Sequence, residues 1–73
     1  MVKFTIVAAF NSYRTLYVAY SDEEMESKTR SILEKMRQSK ESGMIHVYRG
    51  EQRNSAWRSV ALFSDGTVKV TQR

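Results

Sequence analysis

Few side chains in this sequence could act as bases, nucleophiles or ligands. His46 is the single histidine, and there is no cysteine. A general base needs a positioned partner, and a metal site needs two or more ligands at workable spacing. His46 has neither near it in sequence. Without cysteine, disulfides, thiolate zinc sites and thiol nucleophiles are excluded together. Asp22, Glu23, Glu24 and Glu26 crowd together like an acidic metal-binding cluster. Their place at the start of a helical pattern explains them as capping and dipole-matching residues. Gly43, Gly50 and Gly66 lie too far apart to form one phosphate-cradling loop. The expectation is a non-catalytic chain with no cofactor, no metal and no small-molecule ligand.

Binding chemistry is better represented. Tyr17, Tyr48 and Trp57 are candidate apolar anchors, and Arg49, Arg53 and Arg58 surround Trp57 in one polar stretch. Tyr13 and Arg14 add a second Tyr-Arg pair in a turn-like segment. Arginine makes bidentate contacts with carboxylates or phosphates. Tyr, Trp, Met and Arg are also the residues that protein interfaces enrich. Aromatics interleaved with bases on an open sheet can equally stack single-stranded bases. A solvated loop and a water-facing sheet would account for the same residues with no partner at all. Both a protein partner and a nucleic acid therefore stay open.

The net charge of +4 is unevenly placed. From Asp22 to Glu41 six acids nearly balance five bases, whereas the remainder carries seven bases against Glu51 and Asp65. The whole positive excess lies outside the middle segment, where it would favour a polyanion or an acidic protein.

These residues need elements to hold them. Val2 to Phe10 has a period of two, with Val2, Phe4, Ile6, Ala8 and Phe10 on one side, as does Thr15 to Tyr20, with Leu16, Val18 and Tyr20 on one side, and Asn11-Ser12-Tyr13-Arg14 is the turn between the two strands. Ser21-Asp22-Glu23-Glu24 opens a helix, Ser21 capping the third helical amide and Glu24 reaching back to the Ser21 amide. Met25, Ile32, Leu33 and Met36, with Thr29 between, form its apolar stripe, and Gly43 ends it in the left-handed conformation. Strands follow at Met44 to Arg49, Trp57 to Phe63, and around Val68 and Val70 after an Asp65-Gly66 hairpin turn. The predicted fold is α+β: one helix on one face of a mostly antiparallel sheet, in the order β-β-α-β-β-β. The helix stripe should meet Val2, Phe4, Ile6, Leu16, Val18, Ile45, Val47, Val60, Leu62, Val68 and Val70. The other face should show Lys3, Thr5, Val7, Tyr17, Ala19, Met44, His46, Tyr48, Lys69 and Thr71, with Trp57 and Phe63 sent to that side.

Seventy-three residues make one domain with one modest core. The longest apolar run, Ile6-Val7-Ala8-Ala9-Phe10, is far below the ~20 residues of a membrane span and too short for a signal-peptide core. A cytosolic chain with no membrane partner is expected.

The hairpin, the Ser21-Asp22 helix start and the strands up to Tyr48 resemble the β-grasp order of ubiquitin-like domains, a likeness that stops after Glu51. No terminal Gly-Gly exists, so conjugation is not implied. In size and overall character the chain also resembles small phage-encoded proteins that bind host RNA polymerase and modulate or inhibit transcription. That likeness rests on no residue motif, so it assigns no binding residues. It implies a protein partner; contact through a sheet edge and the Tyr/Arg surface is the expectation drawn from the residues themselves.

Overall fold

The computed structural model describes residues 1–10, 12–51 and 55–73. Strand β1 spans Phe4–Phe10, β2 Tyr13–Ala19, helix α1 Asp22–Ser39, β3 Gly43–Arg49, β4 Arg58–Leu62 and β5 Val68–Gln72. The strands form one sheet in the order β2-β1-β3-β4-β5. All four pairings are antiparallel. The fold is the expected α+β arrangement of one helix on a five-stranded sheet. Because β1 pairs antiparallel with β3, the sheet lacks the parallel central pair of a β-grasp.

The position of α1 follows from strand direction. Strands β2 and β3 flank β1 and run the same way, so the chain must return the length of the sheet between them. A seven-residue strand is roughly 23 Å long. The 18 residues of α1 rise about 27 Å, enough for that return.

The helix start is a capping box shifted by one position. Ser21 Oγ accepts the Glu24 amide at 3.1 Å as expected, but Glu24 Oε1 accepts the Tyr20 amide, at 2.6 Å, rather than that of Ser21. The helix end differs more. Lys40, not Gly43, takes the left-handed conformation (φ 59°) and donates its amide to the Arg37 carbonyl. Gly43 already belongs to β3, where it opposes Phe10 and Leu62. Its missing side chain has a packing reason: a Cβ there would meet Phe10 Cβ at 2.5 Å, Met36 Cε at 2.7 Å and the Ala9 carbonyl oxygen at 2.8 Å.

Met25, Thr29, Ile32 and Met36 form the buried stripe of α1, with Leu33 half-buried at its margin. They pack on Phe4, Ile6, Ala8, Ala19, Ile45, Val47, Val60 and Leu62, with Phe10, Tyr17, Trp57 and Val68 around the rim. Strand β2 is therefore turned over from the expected register. Phe10 pairs with Tyr13 and leaves only two positions between them. Tyr13 and Arg14 are thus strand residues rather than turn residues. An even loop carries one face of β1 into the odd-numbered residues of β2, so Tyr17 and Ala19 face the helix while Leu16 and Val18 face away.

The β4–β5 turn follows the expectation. The Gly66 amide donates to Phe63, the Phe63 amide donates to Thr67, and Gly66 sits at φ 91°. The Thr67 amide donates to Asp65 Oδ1 at 2.9 Å and holds the Asp65 carboxyl below the usual carboxylate range.

Two substitutions test this packing. Gly43→Ala should destabilise the domain by about 1–3 kcal/mol, since backbone and two packed side chains stand in the way. A urea midpoint equal to wild type would show that the sheet can move aside. Thr29 is buried, and its hydroxyl has no partner among the described residues. Thr29→Val should therefore gain about 1 kcal/mol, because it removes an unsatisfied group without changing shape. A loss of stability in the same unfolding experiment would contradict this.

Candidate functional site

One helix leaves the opposite face of the sheet uncovered, and that face has relief. Along β1 it carries Thr5, Val7 and Ala9, the smallest of them nearest the β1–β2 turn. Register sets a larger side chain on each side: Thr5 lies between Val18 and Tyr48, Val7 between Leu16 and His46, Ala9 between Arg14 and Met44. Small residues on the central strand make a floor, and the flanking strands make two walls. The resulting concavity of about 690 Å³ is lined by Val7, Ala9, Arg14, Met44, His46 and Tyr48, with Gly43 at its end. Thr5 and Val7 are buried even though no helix covers them, because the wall residues do. Leu16 remains 51% exposed and Met44 40% exposed.

The walls are braced from within the sheet. His46 Nδ1 lies 2.9 Å from Ser59 Oγ, its ladder partner on β4. The His46 and Tyr48 rings lie 6.3 Å apart and tilted. Thr5 Oγ1 donates to the Gly50 carbonyl at 2.6 Å and the Gly50 amide to the Lys3 carbonyl at 2.7 Å, tying the floor to the end of β3. The His46–Ser59 contact is what opposite residues of a ladder make. As a catalytic pair it would need an acid on the other ring nitrogen, and no described contact supplies one. Among the described residues, no group of three or more His, Asp or Glu side chains is placed to hold a metal ion.

The electrostatics are one-sided. None of the five strands contains an aspartate or glutamate. Arg14 and Lys69 are the strand cations on the uncovered face, at its two edges.

A second group gathers at the far end of the sheet. Trp57 packs on Phe4, ring centroids 5.5 Å apart. The Arg49 and Arg58 guanidiniums lie 5.0 and 4.7 Å from the Trp57 ring centre. The Trp57 amide donates to the Val47 carbonyl although Arg58 is Val47's partner in the ladder. Two residues thus face one, as in a β-bulge, and both turn toward the helix side. This corrects the placement of Trp57 on the open face. Arg58 bonds Glu26 at 2.7 Å and Gln72 at 2.9 Å, and its side chain is 17% exposed.

The expected binding residues are therefore divided. Arg14 and Tyr48 share the concavity. Arg49, Trp57 and Arg58 form the end cluster, where Arg58 is already engaged within the chain. Tyr17 is half-buried against the core rather than on the open face. Tyr13 is exposed on the β2 edge. Arg53 lies outside the described residues. Leu16 and Val18, expected inside, are the residues of the face that sequence reasoning missed. Reading Asn11-Ser12 as a two-residue hairpin turn would have placed them.

Arg58→Ala should lower stability by about 1–2 kcal/mol and alter the fluorescence of the single tryptophan, since it strips Trp57 of a cation and Glu26 and Gln72 of a donor. Glu26→Gln should cost less than about 1 kcal/mol, because that carboxylate is half exposed. Equal losses would mean that the ion pair, not the stack, supplies the stabilisation. No family model, curated protein or solved structure matches this chain.

Proposed function

We propose that this chain is a non-catalytic docking module that receives an acidic protein surface on its uncovered sheet face. The observation that carries the reading is the placement of Leu16, Val18, Val7 and Met44 on a face with no helix over it, rimmed by Arg14 and free of strand carboxylates. Contiguous exposed apolar surface with a charged rim marks interaction sites. The concavity would take one or two side chains of a partner, with Arg14 pairing a carboxylate at its mouth. The likeness in size and character to phage proteins that bind host RNA polymerase makes a bacterial RNA polymerase the first partner to test, with modulated transcription as the consequence. Among the described residues, no helix is long and apolar enough to cross a membrane.

A second reading is a single-stranded nucleic-acid platform. The His46 and Tyr48 rings stand side by side on one wall, between Arg14 and Lys69, and bases stack on such rings.

The readings separate in one set of titrations against purified RNA polymerase and a mixed-sequence single-stranded oligonucleotide. Protein docking predicts polymerase binding that weakens only modestly from about 50 mM to about 200 mM salt, while nucleic-acid affinity falls steeply over that range. Leu16→Glu and Met44→Glu should abolish polymerase binding and leave the melting curve near wild type, since both side chains are about half exposed and lie outside the core. Oligonucleotide binding lost in Tyr48→Ala and Arg14→Ala, with no polymerase binding, would establish the second reading instead.

A further inference from the structure

The two edges of the sheet are not equivalent. On the β2 edge, Lys28 Nζ donates to the Val18 carbonyl at 2.6 Å and Glu24 takes the Tyr20 amide. Helix α1 packs across β1, β2, β3 and β4 but not β5. Among the described residues, strand β5 is therefore an edge with neither helix nor capping side chains over it, and edges of this kind pair with other strands. Val70 lies on the helix side of the sheet by register, opposite Val60, yet it is 57% exposed because the helix does not reach it.

The hydrogen-bond alternation tells which groups of β5 are free. The Phe63 amide donates to the Thr67 carbonyl and the Arg73 amide to the Trp57 carbonyl. In an antiparallel ladder this directs the backbone groups of Thr67, Lys69, Thr71 and Arg73 toward β4, and those of Val68, Val70 and Gln72 outward.

We infer that the occupant of this edge is the β5 strand of a second copy, paired antiparallel about a two-fold axis at Val70. The sequence Val68-Lys69-Val70-Thr71-Gln72 is self-complementary in that register. Val70 meets Val70 of the second copy, closing the exposed apolar step. Val68 meets Gln72, and Lys69 meets Thr71, so no like charges stand opposite each other. About six backbone hydrogen bonds result, two at each of three outward residue pairs. The product is a ten-stranded sheet with both helices on one face. The uncovered faces join on the other, which sets two docking concavities on one continuous surface, seven strand spacings or about 34 Å apart.

The test uses the whole chain in sedimentation equilibrium at rising concentration. Wild type should move from the mass of one chain to that of two by about 1 mM, the range for an interface at the small end of the size classes. Val70→Lys and Val70→Glu should each stay at one-chain mass, because like charges meet at the axis. Mixed, they should form a one-to-one pair. Val70→Pro removes an outward amide without touching the β4 ladder and should also stay monomeric, with an unchanged far-UV spectrum. Circular dichroism of each charged variant confirms folding independently of Val70→Pro. Wild type at one-chain mass throughout, or a charged pair that fails to associate, would overturn the inference. So would a Val70→Pro dimer, which would place the contact elsewhere.

Discussion

An α-helix is about 10 Å across, and five strands spaced about 4.8 Å apart put the outer strand axes about 19 Å apart. One helix cannot cover such a sheet. Here α1 lies over β1 to β4, and among the described residues no element covers the other face or the β5 edge. The rest of the molecule answers that constraint. The core is a single layer between the α1 stripe and the helix-facing residues of β1 to β4, and outside that layer only the floor residues Thr5 and Val7 are buried among the described residues.

The uncovered face is more than the outside of a strand alternation. Its floor is low because β1, the best-buried strand, carries Thr5, Val7 and Ala9 outward, and its walls are high because β2 and β3 carry Leu16, Val18, His46 and Tyr48. Charge follows from the same division of labour. Asp22, Glu23 and Glu24 serve the first turn of the helix, and Asp22 and Glu26 pair with Lys3 and Arg58. The strands contribute only cations, so the exposed sheet offers a partner apolar surface with positive rims. The end cluster works in the opposite sense. Arg58 looks like a binding residue in the sequence, but Trp57, Glu26 and Gln72 occupy it, and it fastens β4 to α1 and β5.

Much of the fold was legible. The Ser21 cap, the Met25–Met36 stripe and the Asp65-Gly66 turn each rest on local chemistry acting within a few residues, and all appear as read. Gly43 was legible as necessary but not for the right reason: a helix-ending glycine and a glycine pressed against Phe10 and Met36 look alike in one dimension. The site was half legible. Arg14 and Tyr48 were singled out by type, but only pairing register could show that they share a concavity while Tyr17 packs in the core.

The amino-acid sequence by itself determined the element order, the helix limits at its start, the absence of thiol chemistry and the positive excess of everything but the helix. These depend on residue identity and on neighbours within a turn or two. The tertiary structure decided which edge of the sheet is guarded and which arginines remain available, and it fixed the pairing register that turns Leu16 and Val18 to water. A strand has two faces that differ by a single residue of register, and the two-position loop after Phe10 settles that register through contacts seven residues away on either side.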